Sequence, residues 1–167
     1  MYTYCLFCRT DKVRYIACET QDMFGCRSLV PKQVQHTWSR GKMVNRIRDL
    51  FPGYLFLYSE EPLAISCFWQ IPGVIRCLRS SDEYYHLSGT DDAFAGYILE
   101  SRGIIGKTRV LERDNRLELG PEAFGGAKVS ILRVDRRAQR MQIEIRFARQ
   151  TIRTWIEFEI VSEKESE

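Results

Sequence analysis

Cys5-Leu6-Phe7-Cys8 is the first spacing in this chain with a known chemistry attached to it. Cysteines at that interval hold zinc or cycle between dithiol and disulfide. The redox form needs a helix start, and the zinc form needs a turn and further ligands. Tyr2–Arg9 reads instead as a strand, where residues three apart face opposite ways. The six cysteines make neither a disulfide framework nor a recognised zinc pattern. His36 and His86, the two histidines, stand beside no glycine elbow, carboxylate pair or nucleophile motif. Asp91-Asp92 reads as a helix start rather than a metal site, and no phosphate loop is present. These residues predict no catalytic group, no metal and no cofactor, so the chain is expected not to be an enzyme.

What remains is charge. The net charge of +3 is small but unevenly spread. Residues 26–48 contain Arg27, Lys32, Arg40, Lys42, Arg46 and Arg48 and no acid. Residues 128–153 carry eight basic residues against Asp135 and Glu144, and the last eleven residues hold five glutamates and one lysine. Local basic patches on a near-neutral chain predict contact with nucleic acid or another polyanion at defined places. Arg40, Lys42, Arg46 and Arg48 flank a turn and are the candidate phosphate contacts. No apolar run approaches a membrane span and the N-terminus lacks a signal-peptide pattern, so a cytoplasmic chain is expected.

These groups need a scaffold, and at 167 residues with 44% hydrophobic content the chain suits one domain or two small ones. The central stretch is Leu50–Tyr58. Tyr54, Phe56 and Tyr58 share one strand face and Leu55 and Leu57 the other, so both faces should be covered. The leucine side suits a helix, and the aromatic side suits a binding surface. Before it, Tyr2–Arg9 is a strand, and Asp11 caps a helix to about Phe24 that Gly25 ends. Cys26–His36 is a second strand running through Val30-Pro31-Lys32. Ser39–Lys42 is a turn, and Met43–Asp49 leads into the central strand as its hairpin partner. After it come a short helix from Pro62 to about Gln70, a strand at Val74–Leu78 and an edge strand at Tyr84–Leu87. Thr90-Asp91-Asp92 then opens a helix. Residues 101–115 show little periodicity and read as a linker with the entry to a second unit. Residues 116–161 show short β-branched runs broken by turns, as in a small barrel of about five strands. The expected class is α+β, an α/β sandwich with an antiparallel sheet followed by a small β-barrel.

Leu50–Leu57, LFPGYLFL, followed by Ile71–Arg79, IPGVIRCLR, resembles the N-terminal (NGN) domain of NusG-family transcription elongation factors. Gly120-Pro121, the Val134–Arg137 turn and Arg146–Val161 are similar to the SH3-like KOW domain of the same family, in the same order. Phe147-Ala148-Arg149 has alanine where that family favours glycine. The resemblance implies an NGN domain over residues 1–102, a linker over 103–115 and a KOW domain over 116–163. It implies docking on the clamp helices of the polymerase β′ subunit through Phe51 and Tyr54, with Phe56 on the same face. It implies a KOW partner, Rho or ribosomal protein S10, met through Phe147 and Arg149. The altered hairpin and the basic stretch are most similar to the specialised LoaP and RfaH branches. In those the factor promotes processive antitermination of particular operons through a leader RNA hairpin or upstream DNA. A monomer is expected. A general NusG elongation factor and a KOW-type ribosomal RNA-binding module are the alternatives.

Overall fold

Rings on one side of Tyr54–Tyr58 and leucines on the other demand two covering layers, and the chain supplies both. The computed structural model describes residues 1–163; residues 164–167, the end of the acidic tail, lie outside the described residues. In chain order the first strands are β1 (Tyr2–Cys8), β2 (Arg27–Leu29), β3 (Lys32–Ser39), β4 (Lys42–Asp49), β5 (Tyr54–Ser59) and β6 (Val74–Leu78). They are followed by β7 (Ile104–Ile105), β8 (Thr108–Arg113), β9 (Arg116–Leu119), β10 (Lys128–Asp135), β11 (Arg140–Phe147) and β12 (Gln150–Ile160). The helices are α1 (Val13–Phe24) and α2 (Thr90–Glu100), with short 3-10 turns at Ile65–Gln70 and Ala123–Gly126. The architecture is α+β, with several antiparallel sheets and one curled half-barrel sheet.

The central sheet runs β2-β5-β1-β6 with antiparallel neighbours. On its aliphatic side Leu55 and Leu57 pack with Tyr4, Leu6, Phe68 and the α1 residues Val13 and Ile16. On its aromatic side Phe56 and Tyr58 pack with Phe94 and Ile98 of α2 and with Ile143, Ile145, Phe147 and Ile156 of the C-terminal strands. Burying each such side chain contributes about 1.5–3 kcal/mol before entropy is counted. One core therefore joins the N-terminal sheet to the C-terminal one. Cys5 belongs to the aromatic-side core and Cys8 to the aliphatic-side core, as residues three apart on a strand must. Burial pushes the Cys8 thiol up to about 12 and raises Cys5 as well, so neither forms a thiolate near neutral pH.

Several elements differ from the sequence expectation. Cys26–His36 is two strands, because Pro31 has no N–H for a ladder. Its carbonyl instead accepts the N–H of Leu50 at 2.9 Å. β2 stays in the central sheet while β3 joins a second sheet, β4-β3-β7. Met43–Asp49 thus pairs with β3, across a two-residue turn at Arg40 (φ 52) and Gly41 (φ 73). Asp11 does not cap α1; it pairs with Arg9 at 3.0 Å, and Lys12 occupies the cap position. Tyr84–Leu87 forms no strand, and Tyr84 stacks on His86 with centroids 4.2 Å apart.

The stretch read as a linker, residues 103–115, carries β7 and β8. β7 lies parallel to β3, and β8 lies parallel to β12 with Thr108 opposite Phe158. Ile105 and Val110 are buried, which ties both strands down. β8 and β9 extend the C-terminal strands into a five-stranded sheet, β10-β11-β12-β8-β9. Only Gly106 and Lys107 separate the strand of one sheet from the strand of the next.

Candidate functional site

The aromatic face of β5 is built by alternation, and its mouth by the Phe51-Pro52-Gly53 turn. Phe51 and Phe56 are each 1% exposed and Tyr54 is half-buried. Phe94 sits 5.9 Å from both Phe51 and Phe56, centroid to centroid. Phe147, at the end of β11, closes the cluster at 5.5 Å from Phe56 and 5.2 Å from Phe94. Tilted and edge-on rings at these separations are the favoured geometry. The residues expected to meet polymerase therefore pack against a residue expected to meet the KOW partner.

A rim of polar contacts surrounds this apolar centre. Gln150 Nε2 donates to the Tyr54 hydroxyl at 2.8 Å, while Arg76 Nη2 donates to Gln150 Oε1 at 2.7 Å. Burial raises the Tyr54 hydroxyl above its usual value. The Ala148 N–H donates to Asp91 Oδ1 at 3.0 Å, and Ser80 Oγ donates to Asp91 Oδ2 at 2.6 Å. Arg149 Nη1 donates to Asp82 Oδ1 at 2.7 Å, which holds the Asp82 carboxyl below the usual carboxylate range. Farther along, Thr154 Oγ1 donates to the Leu50 carbonyl at 3.0 Å. The His36 N–H donates to Glu157 Oε1 at 2.6 Å, and its Nδ1 lies 2.7 Å from Oε2. Ala148 (φ 48) and Arg149 (φ 64) are both left-handed, the requirement of a two-residue β-hairpin turn.

The basic candidates gather on the β3–β4 hairpin. Lys42, Arg46 and Arg48 lie opposite Ser39, Gln35 and Gln33, hence on one face, and Arg40 sits at the tip. All four are exposed. The acid nearest in sequence, Asp49, is held by Lys32 at 2.5 Å. Among the described residues no three His, Cys, Asp or Glu side chains gather as a metal site. Among the same residues no helix is long and apolar enough to cross a membrane.

Sequence reasoning missed Gln150 and Asp82 and read Asp91 only as a helix start, which it is, without its seam contacts; a polar side chain opposite a distant strand leaves no local signal. Phe94 is carried by the helix that Thr90-Asp91-Asp92 opens, and its place in the aromatic cluster is set by tertiary packing alone. Neither family models nor curated proteins give a match to this sequence.

Proposed function

We propose that this chain is a specialised NusG-type transcription factor, nearest the LoaP branch. It binds RNA polymerase and promotes processive elongation and antitermination of particular operons through a leader nucleic-acid element. On this reading residues 1–102 are the NGN domain, 103–115 the connection and 116–163 the KOW domain. The chain acts as a cytoplasmic monomer without catalysis.

The observation that carries the reading is the two-sided central strand with Phe51-Pro52-Gly53 at its mouth. One side completes the core with α1, and the other is an aromatic surface that a partner could use. That surface is covered by the chain's own C-terminal sheet, so docking requires the sheet to leave. Because Phe147 and Arg149 are engaged in the same seam, one opening frees the polymerase surface and the KOW partner surface together. Polymerase then selects the open state by binding only that form. Once docked, the factor travels with the elongation complex and need not rebind at each terminator. The KOW domain is thereby held at high local concentration for Rho or ribosomal protein S10.

Single-round transcription on a template with the leader element followed by tandem terminators tests this. Readthrough at both terminators, lost when the leader is deleted, is the expected result. Readthrough that ignores the leader makes the chain a general elongation factor. No polymerase binding, with ribosomal RNA captured instead, makes it a ribosomal RNA-binding module.

A further inference from the structure

β10 is the edge of the five-stranded sheet, and among the described residues its backbone bonds to no strand but β11. An open edge is a template for another strand, and edges are commonly blunted by proline, by shortness or by an inward-pointing charge. β10 is eight residues long and has no proline. Residues directly opposite each other in an antiparallel pair share a face. Val129, Ile131 and Val134 lie opposite the buried Ile145, Ile143 and Met141, so they face the core. Lys128, Ser130, Arg133 and Asp135 lie opposite Arg146, Glu144, Gln142 and Arg140, so the charges are all on the outer face. Leu132 is the extra residue of a bulge; it is 41% exposed and Val134 40%. The bulge changes which residues share a face. Seven residues apart on a regular strand, Lys128 and Asp135 would point opposite ways. The one extra residue brings them to the same side.

We propose that β10 is a self-association surface: two copies of the chain pair edge to edge, antiparallel, about a two-fold axis at Ile131. The sequence Lys128–Asp135, KVSILRVD, is complementary to its own reverse once Leu132 is bulged out of the count. Lys128 of each copy then lies opposite Asp135 of the other, Val129 opposite Val134, Ser130 opposite Arg133, and Ile131 opposite its own copy. Charge complementarity selects both occupant and register. Among the described residues neither Lys128 nor Asp135 has an ion pair. Lys128 has Arg146 across β11, so an acid arriving on its open side relieves a like-charge neighbour. Asp135 has Arg140 across β11, and its Oδ1 accepts the Ala138 N–H at 3.0 Å, leaving Oδ2 for the incoming lysine. A slip of one residue turns the charged face inward. A slip of two keeps the faces, but sets Lys128 opposite Arg133 in one direction and Arg133 opposite its own copy in the other, and like charges oppose pairing. In-register parallel pairing sets every charge beside its own copy. A foreign strand has no reason to carry the reversed order, whereas a second copy carries it by identity. One strand pair buries less than a standard interface, so a weak, concentration-dependent dimer is expected. The chain that acts on polymerase remains single; pairing belongs to the free chain, and the inference does not need the polymerase reading.

Sedimentation velocity of the full chain from about 1 to about 200 µM tests this. Reductant is kept present so that exposed Cys18 forms no disulfide between copies. A monomer–dimer equilibrium is expected, weakened by salt because its ion pairs are exposed. Lys128→Glu sets like charges opposite each other at both ends and is expected to weaken the dimer about 10-fold or more. Lys128 is exposed, so the thermal melt of this variant should match the parent. Asp135→Lys has the same effect on pairing. An equal mixture of the two variants is expected to regain the dimer, since each end then holds opposite charges. Where Asp135→Lys melts early because its turn is lost, Lys128→Glu alone decides. A chain that stays single at every concentration overturns the proposal. So does a dimer indifferent to Lys128→Glu, or a mixture of two well-folded variants that pairs no better than either alone. Growth past the dimer overturns the two-fold axis and makes the contact head to tail, between β10 of one copy and the opposite sheet edge, β9, of the next.

Discussion

Tyr54 carries two roles on one side chain. Its ring lies 5.2 Å from Phe7 and 6.0 Å from Phe51, and its hydroxyl accepts from Gln150. Tyr54→Phe keeps the ring and removes only the hydrogen bond. It is expected to lower stability by about 1 kcal/mol in urea unfolding, and an unchanged midpoint would show that the seam does not depend on this bond. Cys8 makes a different argument, through pH. Burial raises its thiol from 9.0 to about 12, so the folded state keeps a proton that the unfolded chain gives up. The unfolded state then binds fewer protons, and stability falls as pH rises. The contribution is full below about 9 and is lost progressively toward about 12. Cys77 is raised to about 12 for the same reason, so Cys8→Ala removes only part of the alkaline decline. Urea midpoints followed upward from neutral pH check this; a wild-type curve that stays flat through the window contradicts it.

At the scale of elements, the turn into β5 depends on a glycine. Gly53 has φ 90, and a Cβ there would meet the Cys8 carbonyl oxygen at 2.7 Å. The Cys8 N–H also donates to the Gly53 carbonyl at 2.8 Å, which pins β1 to the mouth of β5. Gly53→Ala therefore strains both turn and sheet and is expected to cost more than about 1 kcal/mol, read as a lowered urea midpoint. A neutral substitution would mean that the turn relaxes freely. The long patterns were legible beforehand: β1, α1, β5 and α2 each carry enough periodic apolar residues to declare themselves. The break at Pro31 was misread because alternation looks the same on both sides of a proline. β7 and β8 were missed because two to six residues carry no measurable period and their parallel partners lie far away in sequence. The basic patch was visible as composition. Its separation from Trp38, Met43 and Ile47 was not, since only the β3–β4 register decides which residues share a face.

The whole molecule turns on what covers the aromatic face. Sequence shows that Tyr54, Phe56 and Tyr58 need a cover, but not whether a partner or the chain's own C-terminal sheet supplies it. Here the sheet does, through a compact apolar centre ringed by contacts such as Arg149–Asp82 and Gln150–Tyr54. The passage between the two sheets is short, at Gly106 and Lys107, so opening concentrates its backbone change there. Asp82→Ala combined with Gln150→Ala removes rim contacts while leaving Phe51, Tyr54 and Phe56 in place. If the closed form masks docking, apparent polymerase affinity must rise by the same factor as the open population. Tryptic cleavage after Lys107 must rise with it, because the exposed connection becomes the preferred cut. Adding Tyr54→Ala to the double variant should then abolish the gain in affinity while leaving the faster cleavage. Affinity that stays constant while cleavage increases would separate opening from docking, and the aromatic face would be core rather than contact surface.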